Sequence, residues 1–377
     1  MEWISGFLGV IVPFLIVLTV LVFVHEMGHF WAARRVGVRI EVFSIGFGPE
    51  LFGWTDRAMT RWKISLIPLG GYVKMFGDAN AASQPAGDAE RLTAEERAVA
   101  FPCQGLGART WIVAAGPLAN FAFAIVLLAG LFATVGQPFT PPVVGEVVPD
   151  SAAEAAGLRP GDRIVEMNGG AIERFEDIQR IVRPRAEQEL TMVVERDGER
   201  VNLTATPRLS KFTDNFGNRQ EIGLLGIQRS RVDYVRHGPF EALWRAGREV
   251  YNLSAGTLEA VGQMIVGSRS AEQLGGPIRI AQMSGTVAES GFVPVIWFMA
   301  VLSVNLGLIN LFPIPMLDGG HLLFYGIEAV RGRPLGERAQ EYGFRIGIAI
   351  VFSLMLFVTL NDLIHLEVFD FIKRLVT

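Results

Sequence analysis

Only one cysteine, Cys103, occurs in 377 residues, so no intrachain disulfide can form and a disulfide-stapled scaffold is excluded. Charge is also scarce. Asp, Glu, Lys and Arg make up 19% of the chain, against roughly 25% in ordinary soluble domains. The formal net charge is −4, which leaves no electrostatic footprint for nucleic acid. Disorder and collagen-like repeats are excluded as well, since half of the residues are hydrophobic and no triplet period runs through the glycines. The mean hydropathy is +0.34. What remains to be explained is where the missing charges would have stood.

They are missing from four stretches: residues 3–24, a run within 110–150, residues 291–317 and residues 346–361. A bilayer core of about 30 Å needs roughly 20 apolar residues of helix. The first three runs meet this outright, and Leu363, Ile364 and Leu366 extend the fourth past Asp362. The first run has no basic leader and no small-residue cleavage pattern, so it reads as a span and not a signal peptide. The expected fold is a polytopic α-helical membrane protein with four transmembrane helices, in contact with the lipid bilayer. Lys and Arg concentrate after the first run (Arg34, Arg35, Arg39, Arg57, Arg61, Lys63, Lys74) and between the last two (Arg331, Arg333, Arg338, Arg345). Basic loops stay on the cytosolic side, which places both termini and residues 136–290 outside; Lys373 and Arg374 argue mildly against this. Cys103 then falls on the reducing side.

Between the second and third runs the chain turns polar. Residues 143–148, 163–168, 190–196 and 200–206 read as short strands, with one helical stretch over 175–182. The run from Ser151 through Gly157-Leu158-Arg159-Pro160-Gly161-Asp162-Arg163-Ile164, followed by Asn168-Gly169, resembles the core signature of bacterial PDZ domains. An inserted α+β PDZ domain is therefore expected over 136–236, with its core at 143–208. PDZ folds bind peptides by adding a strand to a sheet edge, so a peptide C-terminus is one expected ligand and a steric filter that grips nothing is the other reading. Residues 209–236 are too few for a second copy. Residues 237–290 read as an outer amphipathic helical segment, with Phe240, Leu243, Trp244, Val250 and Tyr251 near helical spacing.

The chemistry begins at the inner end of the first run. His25-Glu26-Met27-Gly28-His29 is an H-E-x-x-H motif, which on a helix sets two imidazoles one turn apart on one face. That spacing suits zinc, with Glu26 beside the metal to take a proton from the attacking water. Ionisable groups in an apolar span are expensive and point to function. Two histidines leave the metal short of a third protein ligand. Asp318 is the stronger candidate because it ends the third run after Pro313 and Pro315, which cannot both continue a helix. Irregular backbone at membrane depth is tolerated only where it is buried in protein or lines a wet cavity. His321 is a rival ligand.

These two motifs together resemble the site-2 protease family of intramembrane zinc metalloproteases, most closely the regulator-of-sigma-E protease branch. The resemblance covers nearly the whole chain. It implies that His25, His29 and Asp318 (in Leu317-Asp318-Gly319) bind Zn2+, with Glu26 as general base. Asn310, Pro313 and Pro315 match the family's N-x-x-P-x-P element, which implies a role in opening the helix near the substrate, and Gly116-Pro117-Leu118-Ala119-Asn120-Phe121 matches its glycine-proline motif. The implied substrate is a transmembrane protein such as an anti-sigma factor, trimmed beforehand by another protease, and remnant signal peptides. The implied location is the bacterial inner membrane with the PDZ domain in the periplasm. The chain departs from the branch in one respect, since members often carry two tandem PDZ domains.

Residues 63–75 read as a β-hairpin that turns at Gly70-Gly71, with Pro68 interrupting its first strand. A transmembrane substrate must unwind before its amides can be attacked, and a hairpin edge offers N–H and C=O groups to the unwound strand. In the family this element is a membrane re-entrant β-loop, expected here over about 40–77 within an N-terminal region 1–135. The C-terminal region 291–377 holds the last two spans, and the polar stretch 78–107 is uninformative. Two other functions fit the sequence less fully: a membrane-anchored zincin that cuts soluble or misfolded proteins, and a non-catalytic PDZ adaptor.

Overall fold

The computed structural model describes residues 2–78, 92–213, 219–230, 233–267, 270–271 and 274–365. Leu366, Lys373, Arg374 and part of the stretch 78–107 lie outside the described residues. The chain divides into two compact units, one made of Met1–Gly130 with Leu243–Thr377 and the other of Leu131–Ala242.

The first apolar run lies in helix α1 (Glu2–Val36), which carries Arg34 and Arg35 in its last turn. A long hairpin follows, β1 (Ile40–Thr55) with β2 (Arg61–Met75). Its turn is not at Gly70-Gly71. It lies at residues 56–60, where the Asp56 carboxylate accepts from the Ala58 and Thr60 amides at 2.8 and 3.0 Å, an Asx-type closure that needs no glycine. Gly70 instead bends β2. Its φ of 127° is open to glycine and costly for other residues, and the bend lets β2 return along the opposite edge of β1. Phe43 consequently pairs with both Trp62 and Val73, and Ile45 with both Ile64 and Gly71. The first half of β1 is an inner strand between residues 61–64 and 71–75 of β2, and residues 71–75 form an outer strand beside α1.

After α2 (Ala94–Val99), closed by a Thr93/Glu96 capping box, comes α3 (Leu106–Thr134) with Pro117 inside it. The second unit then holds β3 (Gln137–Phe139), β4 (Val144–Val147), α4 (Ala152–Ala155), β5 (Arg163–Met167), β6 (Gly170–Ala171), α5 (Phe175–Val182), β7 (Leu190–Arg196), β8 (Glu199–Ala205), β9 (Arg208–Thr213), β10 (Arg219–Leu224), β11 (Ile227–Arg229) and β12 (Asp233–Val235). A four-stranded sheet of order β6-β5-β7-β8 packs its inward residues Ile164, Met167, Leu190, Met192 and Val194 against Ile178 of α5. The described residues of 209–236 are part of this fold: β11 pairs with β4 through Ile227 and Val147, and Leu225 is buried in the core.

An ion pair ties the Pro-Gly-Asp turn to β7. The Arg196 guanidinium donates twice to Asp162 at 2.8 Å, and the Arg159 amide donates to it as well. Burial alone would raise the Asp162 carboxyl; the Arg196 and Arg159 donors outweigh it and hold the carboxyl below the ordinary carboxylate range. The folded value is thus below the unfolded value of about 3.9. The pair stabilises the fold above that pH and stops doing so as pH falls through the folded value. Asp162→Asn is expected to lower the Tm of this unit at pH 7 and to flatten its loss of stability below about pH 4. Acid unfolding that parallels the wild type would remove the pair from this account.

The chain continues through α6 (Pro239–Ile265), α7 (Pro277–Glu289), α8 (Phe292–Asn310), α9 (Asp318–Arg331) and α10 (Glu337–His365). The expected amphipathic segment is thus two helices, the first ending at Ile265 and the second starting at Pro277. In α6 the buried stripe is Ala242, Ala246 and Val250, while Phe240, Trp244 and Tyr251 are exposed. Helix α7 packs along α1. Its first turn is capped from α10 by Asp362, which accepts from the Gly276 and Arg279 amides at 2.9 and 3.1 Å. That contact accounts for an acidic residue in the fourth apolar run, since a helix N-terminus stabilises a carboxylate. Among the described residues, four helices are long and apolar enough to cross a bilayer: Leu8–Val36, Leu106–Thr134, Phe292–Asn310 and Arg338–Ile364.

Candidate metal centre

His25 and His29 occupy one face of α1 inside its apolar stretch, and both are buried. Their Nε2 atoms lie 3.2 Å apart. Asp318 meets them from the start of α9, with Oδ2 3.1 Å from His25 Nε2 and Oδ1 3.5 Å from His29 Nε2. Zinc held at about 2.0–2.2 Å by N and O ligands in a tetrahedron separates neighbouring ligand atoms by about 3.3–3.6 Å. The His25–His29 spacing lies close to that separation, and one donor atom from each of His25, His29 and Asp318 lies within 4.8 Å of the others, near enough to share one ion. Asp318 Oδ2 is buried and makes no hydrogen bond; with His25 Nε2 beside it at 3.1 Å, a cation between the two would satisfy both. The His29 Nδ1 lies 2.9 Å from the Ile112 carbonyl. A carbonyl only accepts, so Nδ1 carries the proton and Nε2 is left with a lone pair for a metal.

The carboxylate reaches this position because the chain breaks after α8. Pro313 and Pro315 supply no amide for a helix, and residues 311–317 close short turns instead, including Ile314 N–H to Phe312 C=O and Leu317 N–H to Ile314 C=O. Met316 stands at φ 92°, an outlying conformation for a residue with a side chain. Pro315 packs against α10 at Gly347.

A cavity of about 200 Å³ opens onto His25, His29 and Asp318 and is lined also by Glu26, Asn310, His321, Met316, Gly71, Tyr72 and Val73. The Val73 amide hydrogen-bonds the Glu26 carboxyl. Along an edge strand, alternate residues turn their N–H and C=O to the same side, so Gly71 shares the side on which Val73 meets Glu26, and both residues line the cavity. Of the residues that the sequence singled out, His25, Glu26, His29, Asp318, Asn310, Gly71 and His321 converge here. Gly70, Pro313 and Pro315 shape the backbone nearby without lining the cavity. His25, His29 and Asp318 form the metal-competent cluster among the described residues, and His321 is outside it.

Helix α3 supplies a layer that the motifs alone do not reveal. Ile112, Gly116 and Asn120, spaced by four, share the face turned to α1. Gly116 makes room for the His29 ring: a Cβ there would overlap the imidazole Nε2 and Cε1. Asn120 lies 3.2 Å from His25 Nδ1. Gly116→Ala is expected to displace His29 and lower both zinc occupancy and activity, measured by metal analysis of purified protein. Wild-type occupancy would show that the ring can yield.

A model described as Peptidase family M50 matches residues 13–354. A protein of Agrobacterium fabrum named as a zinc metalloprotease is 48% identical over 365 residues, covering 95% of this chain and 97% of its own. One of Rhizobium meliloti with the same kind of name is 49% identical over 361 residues, covering 93% and 95%. The metalloprotease MmpA of Caulobacter vibrioides is 41% identical over 398 residues, covering 99% and 100%. Among solved structures, the PDZ domain of an SdrC-like protein from Listeria innocua covers 25% of this chain and 98% of its own, at 17% identity and a TM-score of 0.20. That likeness is too loose to carry an argument.

Proposed function

The chain belongs to peptidase family M50 and is a zinc metalloendopeptidase, and from this premise we propose that it cuts single-span membrane proteins within or near the bilayer. The observation that carries the proposal is a single cavity bordered both by a metal-competent cluster within an apolar helix and by the outer edge of a sheet. His25 and His29 lie in the apolar stretch of α1, and residues 71–75 of β2 border the same cavity. A substrate helix that enters the membrane must lose its own backbone hydrogen bonds before cleavage, and that edge replaces them.

His25, His29 and Asp318 would hold the zinc, which when bound polarises a scissile carbonyl and lowers the pKa of water. Glu26 takes a proton from the attacking water and later delivers it to the leaving amine. Asn310, at the end of α8 and on the cavity wall, positions the substrate strand. The substrate class is a membrane-tethered regulator of the anti-sigma-factor type, trimmed beforehand by another protease, and remnant signal peptides. The resemblance described above supports that choice, together with a bacterial inner-membrane location and an outer PDZ-like unit that meets the trimmed substrate end.

The test is a comparison of substrates at equal concentration: a single-span protein lacking its ectodomain against casein. Cleavage of the first and not of the second is expected. Rapid cleavage of casein would turn the reading toward a membrane-anchored zincin that cuts soluble proteins. Metal-independent peptide binding without cleavage would turn it toward an adaptor.

A further inference from the structure

We infer that Asn120 is a positioning residue of the metal centre, whose side-chain carbonyl accepts the Nδ1 proton of His25 and so keeps Nε2 free to ligate. The inference rests on the zinc site described above. Asn120 is fully buried in α3, with its Nδ2 placed 3.2 Å from His25 Nδ1 and its Oδ1 left without a partner. The two ends of an amide have nearly the same shape, and the network decides between them. With Nδ2 against the ring, His25 Nδ1 must accept, and the ring proton moves to Nε2. That proton would then point into the cluster of His29 Nε2 and Asp318, where a cation has to sit.

Turning the amide over resolves the conflict. Oδ1 becomes the partner of Nδ1–H, and the Nε2 lone pair faces the ligand cluster. His29 is already held in this way by the Ile112 carbonyl, so the two rings take matching tautomers from acceptors two helical turns apart on one face of α3. The placement of Asn120 is itself fixed. The Ser303 hydroxyl, fully buried in α8, donates to the Asn120 backbone carbonyl at 2.8 Å. At Gly307 the same helix comes so close that a Cβ would stand 3.3 Å from Asn120 Cβ. The element that ends at Asn310 therefore braces the residue that orients His25.

Zinc affinity of the purified full-length protein, by chelator competition, is the primary readout, with the cobalt(II) absorption spectrum and the melting of the metal-free protein beside it. Wild type binding one zinc per chain tests the site itself; failure there would count against the site and not against Asn120. Asn120→Leu keeps the bulk and removes the acceptor, and is expected to weaken zinc binding about 10–100-fold and to alter the cobalt spectrum. Asn120→Asp keeps an acceptor for Nδ1–H and is expected to retain wild-type affinity or better, with a wild-type-like spectrum. A packing role alone would lower the metal-free melting of both variants without separating their zinc affinities. Wild-type affinity in Asn120→Leu, or equal losses in Leu and Asp, would overturn the inference. If Asn120→Leu does not fold, Asn120→Asp decides: wild-type affinity supports the inference, and a tenfold loss or more contradicts it.

Discussion

Glu26→Gln is expected to lower cleavage by at least about two to four orders of magnitude, the range that general acid–base groups contribute, while zinc content stays at the wild-type level. Glutamine has the same shape and still offers an oxygen to the Val73 amide, so the wall of the cavity is preserved. What it lacks is a basic oxygen to receive the proton of the attacking water. Glu26 is not one of the three metal-competent residues, which is why activity and metal content separate in this variant. Activity within tenfold of wild type would remove Glu26 from the mechanism. Loss of zinc together with activity would mean that its carboxylate helps to hold the metal.

Asp318→Asn is expected to do the reverse and lose the metal first. The two carboxylate oxygens face both imidazoles at 3.1 and 3.5 Å, and an amide would offer one weak neutral oxygen and turn an N–H toward a cation. The loss of zinc affinity should exceed the roughly 10–100-fold that a partner behind a ligand is worth. Chelator competition on the purified variant measures it. Unchanged metal content would shift the third ligand to His321, which lines the same cavity.

The clustering of His25, His29 and Asp318 was legible in the sequence because its signals are local. A spacing of four on a helix makes His25 and His29 neighbours whatever the rest of the chain does, and a carboxylate beyond Pro313 and Pro315 has to stand on broken backbone. The hairpin was misread for an equally local reason. Gly70-Gly71 has the composition of a turn, whereas the real turn is closed by the Asp56 side chain with Met59 at φ 66°. Only the pairing of Phe43 with both Trp62 and Val73 shows that the glycine bends a strand. The place of residues 209–236 depends on β11 meeting β4 some 80 residues earlier in the chain, and no periodicity within the segment could show that.

Two further gaps have physical causes of their own. The apolar residues near helical spacing in α6 do not act as one face: Val250 is buried beside Ala242 and Ala246, whereas Phe240, Leu243, Trp244 and Tyr251 are exposed, because the small residues are the ones that allow close packing. Gly116 and Asn120 were visible as a motif without a role. Their meaning lies across the interface with α1, where the step of four along α3 matches the step of four from His25 to His29.

The most direct test of intramembrane cleavage is to map the cut. A tagged single-span reporter with its ectodomain removed would be incubated with wild type and with Glu26→Gln, and the ends of the products read by mass spectrometry. A cut inside the apolar span, absent in the variant and abolished by zinc chelation, is the result expected here. No cut, or a cut confined to soluble sequence flanking the span, would contradict it.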